Sequence, residues 1–143
     1  MTVVTSSGPS LASALDAVRL SLHVLASTIW VGGQFTMVGL LPTIRGLGED
    51  APKKVARALS LLLWPAYGVL VLTGFWNIAA NPLSGATAAW KVVLMVKIAV
   101  VVLAGVAVLL HQRATSKAAT AVWGAVGALA SVAALCLGVL LAG

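Results

Sequence analysis

Two histidines, one cysteine and three methionines are the side chains here that can donate nitrogen or sulfur to a metal, and they are scattered through strongly apolar sequence. An imidazole suits copper or the iron of a haem, while thioether and thiolate are soft donors that suit Cu(I). His23 is the leading ligand candidate. Measured from the ends of the apolar runs that contain them, it lies ~12 Å deep, Lys97 ~10 Å and Cys136 ~8 Å, all from one surface. Met95 shares that level, so a metal set of His23, Met95 and Cys136 is conceivable, with Lys97 as partner to an anionic cofactor group. Thr73 and Asn77 lie close to the same depth. His111 belongs to the opposite surface, about 20 Å away by the helix rise, and the two histidines cannot share one ion.

Each of these residues has a plainer reading. His23 can be a neutral imidazole bonded to Ser27 or to a backbone carbonyl, and Lys97 can reach to the interface along its own stem. Met37 and Met95 are ordinary packing residues in many membrane helices, Cys136 a small hydrophobe, and His111 an interfacial side chain beside Gln112 and Arg113. Acid–base hydrolysis has little to work with: Asp16, Glu49 and Asp50 are the only acids, and none pairs with another inside an apolar run.

The elements that must hold these residues are membrane helices. Of 143 residues 61% are hydrophobic and 8% charged, where a soluble domain carries about 25% charged residues. Four runs are long enough to cross a bilayer: about Leu15 to Leu41, ended by Pro42; Ala58 to Ala80, stopped at Asn81-Pro82; Trp90 to Leu110; and Ala118 to Leu141. Residues 1–14 read as an exposed tail, without the basic start of a cleaved signal, and 15–143 as one four-span domain. The fold class expected is an all-α membrane four-helix bundle in the lipid bilayer.

The net charge of +6 sets topology and does not call for nucleic acid. Arg45, Lys53, Lys54 and Arg57 follow span one, and Arg113 and Lys117 follow span three, whereas the turn after span two has no charge between Asn81 and Ala89 and is flanked by Trp76 and Trp90. Cations stay on the cytoplasmic side, so both termini are expected outside, in the cell membrane of a bacterial-type cell. Along span one, Asp16, His23, Trp30 and Met37 recur every seven residues, with Arg19, Ser27 and Gln34 between them, a stripe that must face the bundle or a wet cavity. Pro65 should kink span two, Gly74 should lie at a close helix contact, and the pairs Gly124 with Ala128 and Gly127 with Ser131 should let a neighbouring backbone approach span four.

The run Leu22-His23-Val24-Leu25, then Ile29-Trp30-Val31-Gly32-Gly33 and Leu41-Pro42, resembles the first span of copper-resistance D (CopD) membrane domains. Leu72-Thr73-Gly74 and Asn77 are similar to that family's second span, and Lys97 stands where its third span carries a lysine. The resemblance reaches from His23 to about Arg113. It implies a CopD-like multi-pass protein that handles copper or binds a redox metal cofactor at an outer-leaflet site on His23. The related HemJ-type proteins share the first-span His, the Trp after it, the Leu-Pro and the third-span Lys, and imply a haem b oxidoreductase with His23 as axial ligand and Lys97 as charge partner. A third reading is a structural subunit, docking into a membrane protein partner or a homo-oligomer through the small face of span four.

Overall fold

The computed structural model describes residues 11–81 and 83–142. Residues 1–10 of the expected tail and Pro82 of the expected helix stop lie outside these described residues. Four helices account for nearly all of the rest: α1 Ala14–Gly46, α2 Ala51–Ala80, α3 Ala88–Arg113 and α4 Lys117–Ala142, with one 3-10 turn at Leu83–Gly85. All four are long and apolar enough to cross a membrane. The outer face agrees, since large apolar residues such as Leu61 at 78% exposure and Leu129 at 71% cover it, while Arg19, Thr73 and Ser131 are buried inside. In water this arrangement would be inverted; in lipid the apolar coat is the solvated one. We describe a multi-pass membrane protein on that ground.

The helices are longer than their sequence signals at the cationic end. Pro42 does not stop α1, which runs four residues further to Gly46. A proline ring removes one backbone N–H and crowds the carbonyl four residues earlier, a cost that one helix turn can absorb. Helix α2 begins at Ala51, so Lys53, Lys54 and Arg57 are helical and the connecting loop shrinks to residues 47–50. Pro52 causes the early start, because a proline in the first turn lacks only an N–H that has no helical partner anyway. His111 to Arg113 likewise belong to α3, leaving residues 114–116 as the hinge.

Caps fix the other ends. Ser13 accepts from the Asp16 N–H at 3.2 Å and donates to Oδ2 of the same aspartate at 2.7 Å. Thr87 accepts from the Trp90 N–H, and the Trp90 indole donates to the Leu141 carbonyl in the last turn of α4. Both bonds satisfy backbone groups that helix ends leave open.

The helices pack as two antiparallel hairpins, α1 with α2 and α3 with α4. The register is regular. His23 meets Thr73 and, ten residues along each helix, Gly33 meets Leu63; in the second hairpin Lys97 meets Gly138 and His111 meets Gly124. The α3–α4 contact is made by small residues, with Ala104, Ala107, Gly127 and Ala130 all buried. A Cβ on Gly127 would sit 3.1 Å from Val108, which bears out the packing expected of Gly127 with Ser131.

The hairpins meet around Trp30, buried to 2% exposure against Leu63 and Val108 and flanked by Trp64 and Tyr67. The Tyr67 hydroxyl donates to the Val101 carbonyl at 2.9 Å and its ring lies over Gly105, the closest approach at any described glycine. At Gly74 the expectation of a close helix contact is corrected: an added Cβ would meet only the His23 ring, at 3.8 Å, because what packs there is imidazole and not backbone.

Candidate functional site

Apart from the cationic end, where Gln112 of α3 accepts from the Trp64 indole and donates to Ser60 of α2, polar groups gather in two places along the bundle. One is at mid-depth, where Ser131 of α4 accepts hydrogen bonds from the Trp30 indole and the Gln34 amide, both at 3.0 Å, and donates its own proton to the Gly127 carbonyl at 2.7 Å. The Gln34 amide also donates to the Trp30 carbonyl. This knot ties α1 to α4.

The second place is toward the end of the bundle that carries the turn 81–87, called here the turn end. His23 Nδ1 lies 2.8 Å from the Thr73 hydroxyl. That hydroxyl has a single proton, and it points back along α2 to the Val69 carbonyl at 2.7 Å and the Leu70 carbonyl at 3.1 Å. Assigning that proton to the carbonyls makes Nδ1–H the donor to the hydroxyl's lone pair. Nε2 is left as a bare lone pair with no hydrogen-bond partner among the described residues. The Ser27 partnership expected from sequence does not form, since Ser27 donates to the Val24 carbonyl of its own helix.

One turn closer to the turn end stand Arg19 on α1 and Asn77 on α2. Arg19 is 5% exposed and its Nη2 holds Asp16 at 2.8 Å. Its Nε and Nη1, and the Asn77 Oδ1, are buried without a hydrogen-bond partner among the described residues. Lys97 of α3 is half-buried, with its ammonium against Gly138 of α4. A Cβ at Gly138 would stand 3.1 Å from Nζ, so glycine makes the space that the ammonium occupies.

Of the residues singled out from sequence, His23 and Thr73 are bonded here, Lys97 rests on Gly138 of α4, and Asn77 is one turn beyond Thr73 on α2. Met95 and Cys136 do not join them. Met95 is 57% exposed and Cys136 is also exposed, both on the outside of the bundle. Each is two residues from a group at the site, Lys97 and Gly138 respectively, and two helical residues turn a side chain through about 200°. Equal depth placed them level with His23, but angular position turns them to lipid. Among the described residues no group of three or more His, Cys, Asp and Glu side chains forms a metal cluster.

His111 is held differently. Its Nδ1–H donates to the Thr120 carbonyl at 2.7 Å and its ring rests on Gly124, so it clasps the α3–α4 hairpin near the cationic end. Two features were missed from sequence, the unpartnered Arg19 nitrogens and the Ser131 knot. The seven-residue stripe on α1 did aim Arg19 and Gln34 inward, but which neighbour each would find depends on a register between helices that no single stretch of sequence encodes.

Comparison of the chain with protein-family models, with curated proteins and with solved structures gave no match.

Proposed function

We propose that this is a membrane protein that binds a redox metal cofactor at the turn end of the bundle, with His23 as ligand. The observation that carries this reading is the setting of the imidazole: Nδ1 lies 2.8 Å from the Thr73 hydroxyl, which also reaches the Val69 carbonyl, and with the ring proton assigned to Nδ1 it is Nε2 that is open. Histidines that ligate metals are held in this way by a bond from the other ring nitrogen, which fixes the tautomer and raises the basicity of the donor. By the distribution of cations the turn end is the outer side, so the site belongs to the outer leaflet of a cell membrane.

The donor set favours haem b over copper. A Cu(I) site wants several soft ligands, and Met95 and Cys136 face outward. Haem needs one axial nitrogen and cationic neighbours for its propionates, for which His23 and Lys97 are suited. When bound, a haem would supply one-electron chemistry. The chain's own part is to orient the imidazole through Thr73, to present a positive charge at Lys97 and to surround both with an apolar coat. The resemblance to CopD and HemJ-type spans supports the same residues.

The test is the visible spectrum and metal content of purified wild type, His23→Ala and His111→Ala. A Soret band in the wild type and in His111→Ala, lost in His23→Ala with the protein still inserted, is the expected result. Stoichiometric copper without a Soret band would select the copper reading. Equal occupancy in all three proteins would remove His23 as ligand.

A further inference from the structure

We propose that the lipid-facing side of the seam between α2 and α3, at the cationic end, binds the headgroup of an anionic phospholipid, with Arg57 and Arg113 taking its phosphate. The site is independent of whatever His23 holds. The backbones of α2 and α3 make little contact, and long side chains bridge them. Gln112 of α3 accepts from the Trp64 indole at 3.2 Å and donates to the Ser60 hydroxyl at 3.0 Å. An indole can only donate, so the amide oxygen belongs toward Trp64 and the amide nitrogen toward Ser60. These bonds fix how the two helices are turned toward each other and bring Ser60 level with Gln112.

The arginines follow from that register. Arg57 is three residues from Ser60 and Arg113 one residue from Gln112, both toward the cationic end, so the helix rise puts them within ~3 Å of one level. Their direction is set by neighbours whose contacts are known. Two residues from Arg57, Leu59 lies against Gly33 of α1; two residues from Arg113, His111 lies against Gly124 of α4. A two-residue step turns a side chain through about 200°, so each arginine points away from the rest of the bundle, and both stand on the same side of the seam. Their exposure agrees, as does that of Leu61, one turn from Arg57 on that face, at 78%.

The arrangement suits a phosphate with an apolar body. Among the described residues the one ion pair is Arg19 with Asp16 at the opposite end, so neither guanidinium is tied to a carboxylate. A guanidinium fork matches two phosphate oxygens, and cations near a bilayer surface attract anionic lipid. Beside them the Gln112 amide gives one N–H to Ser60 and keeps a second with no partner among the described residues. Deeper on the same side the surface is apolar, with Leu61 and, on α3, Val102 at 55% exposure, where acyl chains lie. Free phosphate would use the arginines alone, whereas a phospholipid uses both parts.

Native mass spectrometry of the full chain, released from a neutral maltoside detergent and titrated with phosphatidylglycerol or phosphatidylcholine, tests this. Saturable phosphatidylglycerol, with phosphatidylcholine held at least about tenfold more weakly, is the expected result. Arg57→Gln combined with Arg113→Gln should weaken phosphatidylglycerol at least about tenfold, and Arg113→Gln alone about fivefold. Arg45→Gln combined with Lys117→Gln removes the same charge from the same end, but on α1 and α4, and should leave binding within about twofold. All four side chains are exposed, so these substitutions spare the packed interior. Equal loss in the two double variants would assign the attraction to the total charge of that end and overturn the site. So would equal affinity for phosphatidylcholine, or no saturable phosphatidylglycerol.

Discussion

The knot at Ser131 and the cluster around His23 are both polar islands in apolar helices, and from composition they look alike. In the knot the accounts close: Ser131 takes two protons and gives one, and the Trp30 and Gln34 donors are used. In the cluster Arg19 has two buried nitrogens and Asn77 a buried oxygen without a partner among the described residues, and His23 Nε2 is open once Nδ1 is assigned the ring proton. Closed networks hold helices together, whereas open valences in a medium without water are costly and wait for something to fill them. Burial alone does not separate the two regions, for Arg19 and Ser131 are both buried.

Substitution tests that contrast, and the largest loss of stability is expected in the knot. Trp30→Ala removes the central side chain together with its bond to Ser131, and should cost about 3 to 5 kcal/mol of stability, read by denaturation in mixed detergent micelles. A cost below that of any substitution in the His23 cluster would undo the contrast. Next comes Gly105→Ala, which drives a methyl group into the Tyr67 ring and hydroxyl and should cost about 1 to 3 kcal/mol. Because the hydroxyl is the nearest atom, the penalty should shrink in a Tyr67→Phe background; an unchanged penalty would place the strain elsewhere.

Ser131→Ala leaves two donors without their acceptor and should cost about 1 kcal/mol, in the range measured for hydrogen bonds between membrane helices. Thr73→Val is expected to change stability less than that while weakening cofactor affinity about 10- to 100-fold, as loss of a bond that orients a ligating histidine does. Intact affinity in Thr73→Val would mean that the imidazole is not held by Thr73. The smallest effect belongs to Met95→Leu and Cys136→Ser, which should leave stability and cofactor content alone because both side chains face outward; loss of cofactor in either would restore the sulfur donors.

Most of the architecture was legible in sequence, since length and apolarity alone define the four spans and the stripe on α1 identifies its inward face. Boundaries at the cationic end were not, because Pro42 read as a stop and Lys53, Lys54 and Arg57 as loop cations, whereas α1 runs through Pro42 and α2 starts beside Pro52. At the site, depth was legible from counting and angle was not carried through: Met95 and Cys136 were placed by level, although two residues of offset from Lys97 and Gly138 turn them away. Ser27, one of the two partners expected for His23, fails for a different reason. Ser27 is near in sequence, but one turn along a helix a serine can satisfy itself on its own backbone, while Thr73 approaches from across the hairpin.

The pairing of α1 with α2 and of α3 with α4 bears on how the molecule could be made. Each pair has its own close contact, and the segment between them, around Leu83–Gly85, is the one connection that passes from one pair to the other. Two fragments divided at Ser84 would therefore each enter the bilayer as a complete hairpin. What remains to reunite them is a short set of matching surfaces: Trp30 and Gln34 seeking Ser131, the Tyr67 hydroxyl seeking Val101, and Gln112 meeting Trp64 and Ser60. A chain with this division is joined across its two hairpins by side-chain bonds that run from mid-membrane to the cationic end.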